Sequence, residues 1–442
     1  MRLPEFGPEQ FIEFDQNEEE NSEDLSVYNL HEYFEEYPFS FPDTLYDDEE
    51  ARIKSLKDTK IFSSPERGLK RLGEVDKRTV YFSDDKKDRV FFERPVHPDA
   101  CANIATYLSI ELTNKPKIDT VVFLDTVPTE LFLDLVKQLQ ENGYRVIIRD
   151  HHTHGGDIDA DLVARFHQYI DSKSVLTTRK EAPGCAQLVE AGEFSADNFI
   201  VIADNDKDGL LTAMKAKGIE YERMTQDCDI LDGNPAEQDP EKLTAWGKRL
   251  LMLTETMPRI RKDLDHDKEK FRRFSIFIRA VQGDEEALKF IDGEIQNQWE
   301  ATRAQSERLV SQATKVCNHV FLVDMTLAEN NGVTYDQGTL FRGCIARGTR
   351  VLVIKNTDRS NSSEYTFMMI DGDESLFDIV MTPAAAEKFN EKVEREISKR
   401  RQKEPDPKRN KHIMLLQPFK GFCKGNLWEK KVLPKLRDHY VA

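Results

Sequence analysis

The sequence lacks any long apolar run, which excludes proteins with membrane-spanning helices. Its longest candidate runs are Val80–Phe82, Val121–Leu124 and Phe199–Ala203, far short of the ~18 residues that a membrane-spanning helix needs. The N-terminal segment, MRLPEFGPEQFIEF, carries neither the basic nor the apolar stretch of a secretory signal. We therefore expect no membrane contact and a cytoplasmic location.

Paired cysteines are missing as well. The six cysteines stand at positions 101, 185, 228, 317, 344 and 423, and none belongs to a CxxC pair. This scatter argues against a disulfide framework and against a structural zinc site. With 442 residues, of which 39% are hydrophobic and 33% charged, the chain instead has the composition of a globular protein with several domains.

The net charge of −18 is unevenly distributed along the chain. The first 60 residues hold 18 acidic against 5 basic side chains, a net −13, whereas residues 387–442 hold 16 basic against 8 acidic, a net +8. Aromatic residues interrupt the acidic segment, which suits it to dock on a basic protein partner or, as an autoinhibitor, on the protein's own basic surface. The alternative is a solvated leader. The basic end favours a nucleic-acid partner.

Short β-branched runs alternate with helical periods between Arg78 and Gly209, which predicts βαβ units on a parallel sheet. The predicted strands are Arg78–Phe82, Arg89–Val96, Thr120–Leu124, Tyr144–Ile148, Ser174–Thr178 and Phe199–Ala203. The predicted helices are Pro98–Leu112, Pro128–Glu141 and Pro183–Glu190. We expect Cys185, on the last of them, to lie in the protein core. The pattern indicates a doubly wound α/β domain.

The rest of the chain divides into two further parts. Glu241–Val316 is long, charged and almost free of glycine and proline, so we expect a helical connector. Strands at His319–Met325, Thr349–Lys355, Tyr365–Ile370 and His412–Leu416, a turn-rich Asn330–Gly348 and a helix at Ala384–Lys403 then predict a smaller mixed α/β domain. The predicted boundaries are 1–75 for the acidic segment, 76–238, 239–316 and 317–442.

Acidic and histidine residues follow four of the predicted strands. They are His97 and Asp99, then Asp125, then Asp150, His151 and His152, and finally Asp204, Asp206 and Asp208. Because the carboxyl ends of parallel strands meet at one edge of a sheet, these side chains should converge. Like charges gathered there repel unless cations neutralise them, and carboxylates with imidazoles but no clustered thiols favour Mn²⁺ or Mg²⁺.

On these residues the chain resembles the DHH phosphoesterase superfamily, which includes RecJ-like exonucleases and oligoribonucleases of the NrnA and NrnB kind. Asp150-His151-His152 matches the signature tripeptide, and Asp125 and Asp204 stand 25 residues before and 54 residues after Asp150. The resemblance implies a DHH-type catalytic domain that holds two ions. One ion would bind His97, Asp99 and Asp125, and the other Asp125, His151 and Asp204. Asp150 would orient its neighbours and His152 would contact the substrate phosphate.

One departure from the family's pattern affects the predicted metal ligands. The family's first motif reads HxDxDG, whereas His97-Pro98-Asp99-Ala100-Cys101-Ala102 places a cysteine at the second aspartate. Three alternatives stay open: the Cys101 thiolate completes the second ion site, Asp206 or Asp208 supplies the missing oxygen, or the protein is a single-metal or inactive member. Asp227–Gly233 is interpreted as a polar turn.

The resemblance also implies a substrate-binding domain at the C-terminus, although the family's GGGH loop is absent. Its counterpart by position is a glycine-containing basic loop with Lys420, Gly421, Lys424 and Gly425, to which Arg342 would add charge. The expected activity is a metal-dependent phosphodiesterase or exonuclease on single-stranded DNA or RNA or on short oligonucleotides. The alternatives are a hydrolase of cyclic dinucleotides or other small phosphoesters, and a catalytically degenerate scaffold that binds nucleic acid.

Overall fold

The computed structural model describes most of the chain between Pro65 and Tyr440. The described residues are 65–83, 88–96, 98–114, 118–152, 160–195, 198–233, 235, 237–257, 266–327, 334–357, 363–370, 376–380, 414–416, 420–424 and 427–440. The acidic segment up to residue 64, the predicted helix at Ala384–Lys403, His97 and Gly425 lie outside the described residues.

A first sheet of six strands is mostly parallel. Its strands are β1 (Thr79–Tyr81), β2 (Arg89–Phe92), β3 (Thr120–Leu124), β4 (Arg145–Asp150), β5 (Val175–Leu176) and β6 (Phe199–Ala203). They lie in the order β1-β2-β6-β3-β4-β5, and every neighbouring pair is parallel except the antiparallel pair β1–β2. The carboxyl ends of the five parallel strands therefore lie along one side of the sheet, called the carboxyl edge below.

Helices cover both faces of this sheet, as the doubly wound prediction requires. They are α1 (Pro65–Arg78), α2 (Pro98–Asn114), α3 (Glu130–Glu141), α4 (Ala160–Phe166), α5 (Lys207–Ala216) and α6 (Met224–Leu231). Alternate side chains of a strand point to opposite faces. Val121 and Phe123 accordingly share a core with α2, α3 and α4, whereas Val122 and Leu124 share another with α5 and α6.

The central strands β3 and β6 match their predicted bounds residue for residue, because short apolar runs buried on both faces are legible in sequence. Three other predictions need correction. The second strand ends at Phe92 rather than Val96, and the helix predicted at Pro183–Glu190 is reduced to a 3-10 helix at Cys185–Leu188. Asp227–Gly233, interpreted as a turn, belongs mostly to α6, whose Cys228 and Leu231 are buried.

The segment between the sheets is helical in its described parts, as predicted. It contains α7 (Ala245–Glu255), α8 (His266–Val281), α9 (Glu285–Phe290), a π-helical turn at Ile291–Ile295 and α10 (Gln296–Gln312). Most of the buried side chains of α7 and α8 extend the core beside α5 and α6. In the described residues, no helix has both the length and the apolar character to cross a bilayer.

A second six-stranded sheet is mixed and largely antiparallel. Its strands are β7 (Thr314–Cys317), β8 (Val320–Asp324), β9 (Val351–Thr357), β10 (Ser363–Met369), β11 (Met414–Leu416) and β12 (Lys420–Lys424). They lie in the order β11-β12-β10-β9-β8-β7, and only β8 and β9 pair in parallel. The accompanying helices are α11 (Gln337–Ile345), α12 (Leu376–Ile379), a π-helical turn at Trp428–Val432 and α13 (Leu433–His439).

Helix α11 corrects the turn-rich prediction for Asn330–Gly348. Asp336 caps the helix by accepting a hydrogen bond from the Thr339 N–H at 2.5 Å. Leu340, Phe341 and Cys344 are buried at helical spacing. The capping residue and the apolar face stabilise the helix enough to tolerate the two glycines that suggested turns.

Candidate functional site

Three carboxylates continue the parallel strands at the carboxyl edge. Asp125 follows β3, Asp150 is the last residue of β4 and Asp204 follows β6, and all three are fully buried. The ladder extends beyond the strands, because the Asp125 N–H donates to the Arg149 carbonyl at 2.8 Å and the Asp204 N–H donates to the Leu124 carbonyl at 3.0 Å. Strand pairing thus sets the three carboxylates side by side.

Asp125 has a left-handed backbone, with a φ of 58°. Such a conformation is uncommon outside glycine, and aspartate and asparagine are among the few other residues that adopt it. Strained backbone conformations of this kind concentrate at functional sites. The turn after β3 is therefore the first local sign that the edge serves more than packing.

His151 lies at the centre of the edge with an unusual set of neighbours. Its Nδ1 is 2.7 Å from the Ala182 carbonyl oxygen and must donate to it. Its Nε2 faces three carboxylate oxygens, at 3.3 Å from Asp125, 3.4 Å from Asp208 and 3.6 Å from Asp232. Nε2 is buried and makes no hydrogen bond within the described part of the chain. In the neutral ring a lone pair therefore points at three anions.

Electrostatics favours a positive charge at this point. Burial alone lowers the pKa of the His151 ring, but the contact with Asp125 and the charges of Asp208, Asp125 and Asp232 raise it to about 10. Without a metal ion, the proton on Nε2 supplies the missing positive charge. A divalent cation among the same atoms would supply it in the proton's place.

Asp150 orients the second histidine of the tripeptide. Its Oδ2 accepts from the His152 N–H at 2.8 Å, and its Oδ1 lies 2.7 Å from His152 Nδ1. This contact makes Nδ1 the donor and leaves Nε2 to accept from Arg179, whose Nη2 is 3.1 Å away. Arg179 also contacts Asp232 at 3.2 Å. Asp150 thus holds the His152 ring through two contacts, and a role for it in catalysis stays a prediction.

The segment after β6 brings two more carboxylates to the edge. Asp206 caps α5 by accepting from the Gly209 N–H at 3.0 Å. Asp208 is fully buried and accepts hydrogen bonds from the Thr212 hydroxyl, the Cys228 thiol and the Cys185 N–H. Glycine is required at 209, because a Cβ there would lie 2.2 Å from the Asp204 carbonyl oxygen. That close approach folds the helix start back onto Asp204.

Three groups of side chains have the spacing of metal ligands, with their ligand atoms within 4.8 Å of one another. The His151 group consists of His151, Asp208 and Asp232. The Asp204 group consists of Asp125, Asp204 and Asp206. Asp125 also groups with His151 and His152, so it stands between the two.

Some predicted site residues lie outside these groups, and the side chains of others lie outside the described part of the structure. The backbone of Asp99 begins α2, but its side chain, like His97, lies outside the description. Cys101 is buried in the first turn of α2. Burial, with Glu93 and Asp134 nearby, raises the pKa of its thiol to about 12. Arg342 donates to the Gln238 carbonyl at 3.0 Å.

The basic loop predicted around Lys420 is instead a strand. Lys420, Gly421 and Lys424 belong to β12, which pairs with β10 and β11. A Cβ at Gly421 would lie 2.1 Å from the Phe367 ring. Glycine at this position therefore accommodates an aromatic side chain. Whether the lysines contact substrate stays a prediction.

Sequence reasoning missed three residues of the site. Asp232 follows α6, Arg179 lies between β5 and the 3-10 helix, and Arg94 follows β2. Arg94 forms an ion pair with Asp204 and lies 3.2 Å from Asp206. An acidic residue followed by glycine at 232–233 was the one available sequence signal. No sequence signal indicated Arg94 or Arg179, because their positions depend on how the loops fold over the edge.

Comparison with known proteins adds a distant likeness. A scan against protein-family models matches none, and a search of curated proteins finds no relative. Among solved structures, the chain is similar to a pGpG-specific phosphodiesterase, PggH from Vibrio cholerae, with 11% sequence identity and a TM-score of 0.38. The match covers 72% of this chain and 99% of that one. At this distance, function has to be argued from the side chains of the site.

Proposed function

We propose that the protein is a metal-dependent phosphodiesterase of the DHH type that hydrolyses single-stranded nucleic acid or short oligonucleotides. The observation that carries the proposal is the His151 imidazole. Its Nδ1 is committed to a carbonyl, and its buried Nε2 faces carboxylates of Asp125, Asp208 and Asp232 within 3.6 Å. Burying several carboxylates around one nitrogen costs desolvation free energy that a bound cation would offset, and such arrangements are concentrated at catalytic and metal sites.

The side chains present fit divalent cations. One imidazole and several carboxylates are ligands that suit Mn²⁺, with Mg²⁺ as the alternative. The His151 group would hold one ion, the Asp204 group a second, and Asp125 would lie between them. When bound, a pair of such ions lowers the pKa of water and stabilises the attacking and leaving oxygens of a phosphodiester.

The protein's own residues would orient the substrate beside the ions. Asp150 fixes the ring of His152 through Nδ1. The opposite edge of that ring contacts Arg179, whose side chain is 22% exposed. An arginine in this position is suited to bind a phosphate oxygen, and His152 would hold its guanidinium toward the substrate. We assign Arg179 to substrate binding together with His152.

The preference for a nucleotide chain over a small phosphoester rests on the basic C-terminal part. Arg342 of α11 reaches the carbonyl of Gln238, and the side chain of Gln238 accepts from Lys207 at the start of α5. The second sheet's helix is thus connected to the segment that carries Asp206 and Asp208. A nucleotide chain leaving the carboxyl edge would meet Arg342, and the net positive charge of residues 387–442 favours the same polyanionic substrate.

The test is metal-dependent cleavage of end-labelled single strands, DNA and RNA, graded from dinucleotides to long oligonucleotides. We expect Mn²⁺-dependent hydrolysis by the full chain and none after chelation. His151→Gln and Asp232→Asn should each lower turnover, His151→Gln on the order of a thousandfold, because a buried cation loses a ligand. His167→Gln alters an exposed histidine of the same domain and serves as the matched control.

The outcomes separate the candidate functions. If the protein cleaved cyclic dinucleotides but no linear strand, its substrate would be a small phosphoester instead of an oligonucleotide. Strand binding without cleavage, in a protein that nevertheless binds Mn²⁺, would favour the scaffold. Equal turnover of His151→Gln and His167→Gln would refute the site assignment.

A further inference from the structure

The Asp204 group already contains a cation of the protein's own. Arg94 lies just beyond β2, and its Nη2 forms an ion pair with Asp204 and lies 3.2 Å from Asp206. The preceding residue is held to the sheet, because the Glu93 N–H donates to the Ala203 carbonyl at 2.9 Å. Arg94 is therefore delivered to the carboxyl edge by the continuation of a strand, as the carboxylates are.

The remaining oxygens of both carboxylates are committed to the backbone. Asp204 Oδ1 accepts from the Asn205 N–H at 2.6 Å, and Asp206 Oδ1 accepts from the Gly209 N–H as the cap of α5. In each carboxylate, one oxygen therefore accepts from a backbone N–H and the other contacts Arg94. A guanidinium stays charged at any accessible pH, so this neutralisation is permanent.

The His151 group is arranged differently. Arg179 contacts Asp232, but no cationic side chain reaches Nε2 of His151 among the described residues. At the Asp204 group, an ion has to compete with a guanidinium that already occupies the carboxylate oxygens.

We infer that Arg94 is a built-in counter-ion that competes with a divalent cation for Asp204 and Asp206, so that the two ions bind with unequal affinity. The inference rests on the proposed metal site and deepens it. The first ion binds the His151 group, and the second binds only when Arg94 leaves the Asp204 group. The side chain of Arg94 is 24% exposed, which gives it room to move toward solvent.

The experiment is a Mn²⁺ titration of the full chain, followed by electron paramagnetic resonance and calorimetry, with no substrate present. We expect one tight and one weak ion in the unchanged protein. Arg94→Gln removes the competing charge while keeping a polar side chain, and should tighten the weak ion by about tenfold or more. Arg94→Lys keeps a positive charge and should leave the weak ion weak.

A matched control variant and a second measurement distinguish the loss of Arg94 from a general effect on folding. Arg145→Gln removes another guanidinium that faces an aspartate, Asp119, at the opposite edge of the same sheet, and should change neither affinity. Arg94→Gln leaves buried Asp204 without its cation, so Mn²⁺ should raise its melting temperature more than that of the unchanged protein. If Arg94→Gln does not fold without metal, refolding in Mn²⁺ with two bound ions is also the expected result.

Two results would overturn the inference while leaving the proposed function intact. One is a pair of ions with equal affinity in the unchanged protein, and the other is an Arg94→Gln variant whose weak ion is not tightened. The proposed function fails on a different result, which is a tight ion that persists in His151→Gln or that never binds at all.

Discussion

The two six-stranded sheets of the molecule differ in strand direction, and the difference decides what lies at their edges. In the first sheet five strands run parallel, so the residues after β3, β4 and β6 meet at one edge. In the second sheet only β8 and β9 are parallel, and the remaining strand ends are divided between opposite edges. Parallel topology concentrates backbone termini and the side chains that follow them.

One glycine in each sheet's domain shows the same difference between the two sheets. Gly209 in the first sheet's domain lets α5 begin against Asp204 and so brings Asp208 to the site. Gly421 in the second sheet leaves room for the Phe367 ring across the strand pair. Changes at the carboxyl edge of the first sheet should therefore affect ion binding and turnover. Changes inside the second sheet should affect stability.

The largest effect is expected from Asp125→Ala. Asp125 belongs to the Asp204 group and also lies 3.3 Å from His151 Nε2, so its loss would remove a carboxylate from between the two proposed ions. We expect hydrolysis to fall on the order of a thousandfold or more while the fold persists. Turnover of labelled strands and circular dichroism measure the two quantities.

Asp119→Ala is the matched control for that variant. Asp119 immediately precedes β3, at the opposite end of the strand that Asp125 follows, and its side chain is exposed. Turnover should stay within about twofold, since exposed ion pairs contribute little. Near-normal Mn²⁺-dependent turnover in Asp125→Ala would show that the carboxyl edge is not the catalytic site.

The second prediction concerns the pH dependence of ion binding. In the ion-free protein the three neighbouring carboxylates raise the pKa of His151 to about 10, although burial opposes them. Below that pH a proton occupies Nε2 and an ion has to displace it, so affinity should rise with pH. We expect close to a tenfold gain per pH unit for the tight ion between about pH 6.5 and 8.5.

Calorimetry in two buffers of different ionisation enthalpy also counts the protons released. Close to one proton per tight ion is expected in the unchanged protein. His151→Gln should release none from this position. A flat pH profile in the unchanged protein would mean that the imidazole does not bind the ion.

The third prediction tests the second sheet. Gly421→Ala places a Cβ 2.1 Å from the Phe367 ring, and the aromatic side chain cannot yield without disturbing the core that contains Trp428. We expect unfolding by urea to become easier by about 1–3 kcal/mol, with Mn²⁺ affinity unchanged. Gly293→Ala, where the new Cβ meets no atom within 4 Å, is the control. Loss of ion binding in Gly421→Ala would break the division between the two sheets.

Sequence reasoning located the parts of the site that depend on strands. Asp125, Asp150, His151 and Asp204 follow or end short apolar runs, and such runs are recognisable because both faces of the strand are buried. Their convergence then follows from parallel pairing alone. Of the four stretches predicted to meet at one edge, the three that follow β3, β4 and β6 lie there among the described residues.

The missing residues depend on tertiary packing instead. Asp232 was assigned to a turn, because a short polar segment does not reveal that Cys228 and Leu231 bury one face of a helix. Arg94 and Arg179 reach the edge from irregular segments, whose path no periodicity encodes. The strand at Lys420–Lys424 was mistaken for a loop, since its glycine is explained only by the Phe367 ring opposite.

The smallest effect is expected at Cys101, where the sequence left a thiolate ligand as one of three alternatives. Burial, together with nearby Glu93 and Asp134, raises the pKa of this thiol to about 12, so the thiolate that a metal needs is disfavoured. No metal-ligand group among the described residues includes Cys101, whereas Asp206 and Asp208 each belong to one. Cys101→Ala should therefore leave both Mn²⁺ affinities and turnover within about twofold, at a stability cost of about 1 kcal/mol for a small core truncation.

Cys344→Ala removes a buried thiol beside the second sheet and is the matched control. If Cys101→Ala lost one bound ion and Cys344→Ala did not, the Cys101 thiolate would be a metal ligand after all. The ligand missing from the first motif would then be Cys101 rather than Asp206 or Asp208.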